Sequence, residues 1–96
     1  MEALVLGKQL LRCATSVGAN YRAACIAKST ADFVAKIKIC EEEADECGYW
    51  FRLLVAADFV TEDAVADMKR EAQELTSIFA SSAITARRNM EHDTAN

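Results

Sequence analysis

Apolar residues recur along this chain in steps of three and four, which is the spacing of one face of an α-helix. Two such rows run side by side from about Ala3 to Ala27 and predict a first helix with a broad apolar arc. An arc this wide should touch more than one neighbour. The first row comprises Leu4, Gly7, Leu11, Ala14, Gly18, Tyr21 and Cys25, and the second row comprises Leu6, Leu10, Cys13, Val17, Asn20 and Ala24.

A second helix is predicted from Thr30 to about Ala57. Ser29 can serve as its N-cap, and Asp32 places an acidic residue in its first turn. Its apolar row repeats every seven residues and continues past Gly48, so we expect no break at that glycine. The row comprises Phe33, Ile37, Cys40, Ala44, Cys47, Phe51 and Leu54.

A third helix is predicted after Thr61, a second N-cap that is followed by two acidic residues. Arg87 and Arg88 suit its last turn, where cations are favourable. We therefore expect one domain over residues 1–90 and a frayed polar tail over residues 91–96. The apolar row comprises Val65, Met68, Ala72, Leu75, Phe79, Ser82 and Ala86.

These elements predict an all-α fold, an up-and-down helical bundle of three long antiparallel helices. The two connections are very short, and short links make neighbouring helices antiparallel. Three helices do not close a four-helix bundle, and the first helix has two apolar rows. The simplest cover for the remaining apolar surface is another copy of the chain.

The composition narrows the classes of protein. Apolar residues make up 52% of the chain and proline is absent, which argues against disorder and for long helices. The longest uncharged stretch has twelve residues, whereas a membrane crossing needs about 20. We find no signal-peptide pattern, so a cytoplasmic location is expected. The four cysteines form no C-x-x-C pair and are interpreted as small buried apolar residues.

Charge is distributed unevenly within the net value of −4. Residues 1–40 carry six basic and two acidic residues, a balance of +4, and residues 41–96 carry a balance of −8. The two halves can attract one another within or between chains. The net negative field makes the whole molecule a poor general binder of polyanions.

Catalytic and metal chemistry have little support. A carboxylate-bridged di-metal bundle needs Glu-x-x-His pairs, and the only histidine, His92, lies in the tail. Glu43 and Glu46 share a helix face and can bind a cation weakly, but the acidic run is better explained as a solvated face with one or two paired acids. No histidine is placed to activate a nucleophile, and no glycine-rich phosphate loop exists. We expect no enzyme activity and no cofactor.

Asn20 falls on an apolar row, with Ser16 one turn earlier. A buried amide must find hydrogen-bond partners. The predicted partners are Glu43 and Glu46 of the antiparallel neighbour, with Arg22 neutralising their charge. We interpret this buried polar network as a device that fixes helix register.

The Ser-Val-Gly-Ala-Asn-Tyr-Arg string at residues 16–22 and the Glu-Glu-Ala-Asp-Glu string at 42–46 resemble a bacterial family of four-helix-bundle proteins. That family was first noticed as reading frames within intervening sequences of large-subunit ribosomal RNA genes. The resemblance covers roughly residues 5–90 and implies an up-and-down bundle that forms ring-shaped homopentamers. Family members usually carry one more helix before the segment that starts at Gln9, so we expect that helix to be missing or shortened here.

The sequence therefore predicts a non-catalytic, homo-oligomeric helical bundle with a binding or scaffolding role. An alternative comes from a related branch, the accessory proteins of diversity-generating retroelements, which bind nucleic acid with a basic ring surface. For that function, one exposed stripe would have to contain Arg12, Arg22, Lys28, Lys36 and Lys38, repeated around an oligomer.

Overall fold

The computed structural model describes residues 2–95, with side chains to residue 91. Three helices follow in order: α1 (Glu2–Cys25), α2 (Thr30–Ala56) and α3 (Glu62–Ala95). The described residues contain no strand. The predicted all-α fold with three long helices is therefore confirmed, and α2 runs through Gly48 without interruption.

Both predicted N-caps form. The Ser29 hydroxyl accepts a hydrogen bond from the backbone N–H of Asp32 at 3.0 Å, and Thr61 accepts one from Ala64 at 3.2 Å. The chain reverses between α2 and α3 through Asp58, which adopts a left-handed backbone conformation with φ of 62°.

The end of α3 differs from the sequence-based boundary. The polar character after Arg88 suggested that the helix ends there, but α3 continues to Ala95 because no proline or glycine interrupts it. Fraying of residues 91–96 stays a prediction, and Asn96 lies outside the described residues.

The central helix is α2, and α1 and α3 each pack against it. One core cluster joins Ile37 of α2 to Ala24 and Phe79, and the other joins Phe51 to Cys13 and Val65. These pairings make both neighbours antiparallel to α2, so α1 and α3 run in the same direction.

The backbones of α1 and α3 do not pack against each other within the part of the chain that the structure describes. Long side chains cross the gap near one end, where the rings of Tyr21 and Phe79 have centroids 6.1 Å apart. The molecule is a rod of 55 × 19 × 14 Å, little more than one helix thick in its thinnest direction.

The predicted apolar rows divide between core and surface. The α2 row lies in the core, with Ile37 2% and Cys40 0% exposed. The second row of α1 faces α2, with Cys13 fully buried. The first row of α1 stays on the surface, where Leu4 is 60% and Leu11 64% exposed.

Candidate functional site

An apolar groove runs between α1 and α3, with α2 as its floor and a volume of about 590 Å³. Two walls form because both outer helices pack on the same central helix without meeting each other. Most of the groove is lined by apolar side chains. Its walls are Gly7, Leu11 and Ala14 from α1 and Val65, Met68 and Leu75 from α3.

The α1 wall combines the exposed Leu11 with Gly7 and Ala14, which lack bulk. Apart from the adjoining residues and backbone of its own helix, a Cβ atom added at Gly7 or Gly18 would meet no atom within 4 Å. Gly7 lines the groove beside Leu11, and Gly18 lies further along the same row of α1, beyond the groove, so this face of α1 allows another helix to approach closely. The opposite wall contributes Met68, which is 47% exposed.

A polar cluster joins α1 to α2 on the other side of α1. The Arg12 guanidinium donates hydrogen bonds to Glu46 at 2.7 Å and to Glu43 at 3.4 Å. The indole N–H of Trp50 also donates to Glu46, at 3.2 Å. The hydrogen bond from Arg12 lowers the pKa of Glu46 and raises the pKa of Arg12, because it favours both charged forms.

Cys13 lies beside this ion pair and accepts a hydrogen bond from Arg12 at 3.1 Å. Burial raises the pKa of its thiol to about 12, since a thiolate is poorly solvated there, and the nearby Glu46 charge acts in the same direction.

Cys13, Glu43 and Glu46 place one potential metal-ligand atom each within 4.8 Å of one another. A metal would need the Cys13 thiolate and would have to displace Arg12 from the carboxylates. The cluster is therefore better suited to joining two helices than to holding a metal.

The predicted buried network does not form as one unit, because its members bond in two separate groups. Asn20 donates hydrogen bonds within α1, to the carbonyl of Ser16 at 2.9 Å and to its hydroxyl at 3.2 Å. The arginine that reaches Glu43 and Glu46 is Arg12. Arg22 is exposed and forms no ion pair with a described residue, so its predicted role as the neutralising cation is wrong.

A simple count along the sequence identifies Arg12 as the partner. Residues equally distant from a tight antiparallel turn meet across it. Arg12 lies 16 residues before Lys28, and Glu43 and Glu46 lie 14 and 17 residues after Ser29. Arg22 precedes Lys28 by only six residues and falls level with the start of α2.

The predicted basic stripe is interrupted. Arg12 is held by the two carboxylates, and Lys38 donates to Glu41 at 2.7 Å. Lys36 and Lys38 are two residues apart on α2, a rotation of roughly 200°, so they lie on opposite sides of the helix. Of the five residues predicted for the stripe, only Arg22, Lys28 and Lys36 are left to form one basic surface.

The structure adds two arginines to that surface, which the sequence alone did not associate with it. Ala86 and Asn89 of α3 lie beside the α1–α2 turn, so Arg87 and Arg88 lie at the same end of the rod. Segments 22–36 and 86–91 together carry five basic and two acidic residues. Segment 56–75, at the opposite end, carries six acidic and two basic residues. We call these the basic end and the acidic end.

No helix among the described residues combines the length and apolar character that a membrane crossing requires.

Comparisons with known proteins agree with this architecture. The family model described as 23S rRNA-intervening sequence protein matches residues 1–81. A crystal structure from Bacteroides thetaiotaomicron, described as a protein of unknown function from the S23 ribosomal protein family, is 37% identical. That match covers 82% of this chain and 73% of the other, with a TM-score of 0.79. A search of curated proteins found no match. The chain belongs to the 23S rRNA-intervening sequence protein family.

Proposed function

We propose that this protein is a non-catalytic helical-bundle scaffold that associates with copies of itself through the apolar groove. The observation that carries the proposal is the open groove between α1 and α3, whose wall residues Leu11 and Met68 are 64% and 47% exposed. Contiguous apolar surface of this kind is typical of an interaction site.

The polar chemistry supports a structural role. Arg12, Glu43 and Glu46 satisfy one another across α1 and α2. Burial keeps the Cys13 thiol protonated, and a protonated thiol is a poor nucleophile. These residues hold the bundle together and leave its apolar surface as the feature that acts on other molecules.

The experiment is sedimentation equilibrium of the full chain over a hundredfold range of concentration. We expect a mass above the 10.5 kDa of a single chain. The family resemblance implies five copies, roughly 53 kDa from chains of 10.5 kDa. A single 10.5 kDa species at every concentration would refute self-association.

A second candidate function is nucleic-acid binding at the basic end. The observation that favours it is the clustering of Arg87 and Arg88 with Arg22, Lys28 and Lys36 at one end of the rod. Binding of this kind neutralises phosphates and weakens steeply as salt rises.

Fluorescence anisotropy with a labelled RNA hairpin and a labelled DNA duplex tests this function. Replacing both Arg87 and Arg88 with alanine should weaken binding at least tenfold in 50 mM salt. The matched control replaces Lys69 and Arg70 at the acidic end, which should change binding little. Undetectable binding of either nucleic acid in 50 mM salt would eliminate this candidate.

A further inference from the structure

We propose that the outer face of α2 binds an arginine-bearing basic segment of a partner protein. This face, which we call the aromatic–acidic face, consists of Glu42, Asp45, Tyr49 and Trp50. It is separate from the groove, because Tyr49 lies five residues after Ala44 of the groove floor, a rotation of roughly 140° around the helix. The binding site therefore does not depend on self-association through the groove.

Two aromatic rings form a fixed corner on this face. The rings of Tyr49 and Trp50 have centroids 4.9 Å apart and meet at an angle of 75°. Trp50 packs against the core cluster that contains Cys13, and its indole N–H donates to Glu46 at 3.2 Å. Tyr49, which rests on this anchored ring, is 49% exposed. It therefore offers aromatic surface to a partner at little cost in side-chain entropy.

Two carboxylates border the aromatic corner. Asp45 lies one helical turn before Tyr49, and Glu42 lies two turns before it on the same side of α2. Both acidic side chains are exposed, and neither forms an ion pair with a described residue. The face therefore has two negative charges that a cationic partner can neutralise.

The basic residues nearby do not satisfy these two carboxylates. Arg12 and Lys38 are held by the other three acids of segment 41–46. The guanidinium of Arg52 lies over Gly48, 3.3 Å from the position of an added Cβ atom, and forms no ion pair within the described part of the chain. The five acids of the segment and these three cations leave a net charge of −2. This charge favours a basic partner.

The combination of aromatic rings and carboxylates favours arginine over lysine in the partner. A guanidinium can stack its plane on an aromatic ring while its edge forms two hydrogen bonds to a carboxylate. A lysine ammonium is a point charge without a flat surface.

The spacing of the face fits a segment in which every second residue is arginine. The midpoint of Asp45 and Tyr49 lies five residues from Glu42, about 7.5 Å along α2. Arginines two positions apart in an extended segment point to the same side and lie about 7 Å apart. One guanidinium can therefore bind between Tyr49 and Asp45 while the next binds Glu42.

Trp50 is the only tryptophan of the chain, so its indole N–H gives one resonance in a ¹H–¹⁵N correlation spectrum and reports on this face. The probe is a short peptide, blocked at both ends, in which three arginines alternate with glycine. We expect the indole resonance to shift with a dissociation constant of about 0.1–1 mM at low salt. The same peptide with lysine in place of arginine should bind about threefold more weakly.

Variants at exposed positions test each part of the face without risk to folding. Tyr49→Ala should raise the dissociation constant about threefold, whereas Tyr49→Phe, which keeps the ring, should leave it within about 1.5-fold. Glu42→Gln combined with Asp45→Asn should raise it about fivefold. The matched control, Asp63→Asn combined with Glu74→Gln at the acidic end, removes the same two charges and should leave it within about 1.5-fold.

Three results would overturn the assignment. One is an indole resonance that does not move at about 10 mM arginine peptide. Another is equal binding of the two peptides, or equal weakening by both pairs of charge variants, since either shows unspecific attraction to an acidic protein. The third is a lower mass of Tyr49→Ala than of the wild type in sedimentation equilibrium, which would show that a second copy covers this face.

Discussion

Replacing Gly48 with alanine tests what limits the stability of the middle of α2: the backbone freedom of its glycine or the packing around that position. Gly48 is buried within a continuous helix and has a negative φ, so alanine can adopt its backbone conformation. A Cβ atom built at this position approaches Nη1 of Arg52 to 3.3 Å and meets no other atom that close.

Two opposing effects set the magnitude. Glycine in a helix interior costs about 1 kcal/mol relative to alanine. The contact with Arg52 is slightly tight, but it involves the tip of a flexible, exposed side chain that can move by a few tenths of an ångström. The gain in helix stability should exceed the cost of the contact with Arg52. We expect the free energy of unfolding to rise by about 0.5–1 kcal/mol and the Tm by about 3–6 °C.

Thermal and urea denaturation followed by circular dichroism measure this change. All samples must have the same protein concentration, because the proposed self-association would make the Tm depend on it. Arg52→Ala, alone and combined with Gly48→Ala, is the control that removes the close contact. If alanine at position 48 destabilises the chain even without Arg52, then α3 packs closer to this site than the geometry indicates, and the reasoning is wrong.

Three further predictions concern thiols, pH and capping. In the folded protein we expect Ellman's reagent to modify Cys25, the one cysteine that is exposed, while the three buried thiols react only after unfolding; four thiols reacting at once would contradict the packing of α1 on α2. Because burial raises the Cys13 pKa from 9.0 to about 12, its protonated form contributes stability fully below pH 9, and that contribution is lost as the pH rises towards 12. The urea midpoints of the wild type and Cys13→Ala should therefore converge as the pH rises from 8 to 10.5. A constant difference between the two midpoints would contradict this prediction. Ser29→Ala should lower the free energy of unfolding by about 1 kcal/mol, measured by urea denaturation against Thr30→Ala, and an equal effect of both substitutions would show that the cap bond is unimportant.

The helices could be predicted from sequence because their signals are local. An apolar row that repeats every seven residues and a capping serine specify α2 within about 30 residues of chain. The structure contains both the helix and the cap. Fold class follows as well, since two tight connections between long helices leave an up-and-down order. The end of α3 was not predictable from polarity alone, because polar residues without proline or glycine continue a helix readily.

Predicting which polar residues pair requires the register between α1 and α2, that is, which residues of the two helices lie level, in addition to the apolar pattern. Arg12 and Arg22 are chemically equivalent, and the exposure of each depends on which α2 residues lie level with it. Counting from the turn between α1 and α2 selects Arg12, whereas the attraction of Asn20 for nearby carboxylates pointed to Arg22. The amide is satisfied within its own helix instead, by Ser16 one turn earlier.

The groove follows from the order of the helices more than from any single residue. In an up-and-down order of three, α2 receives both neighbours, and the outer helices run parallel and share its surface. Gly7, Leu11 and Ala14 of the first α1 row and the exposed Met68 of α3 then face one gap that the single chain does not fill. Leaving that gap in contact with water costs free energy in proportion to its apolar area. Whatever closes the gap is stabilised by the same term, so this apolar area would supply the driving force for the proposed self-association.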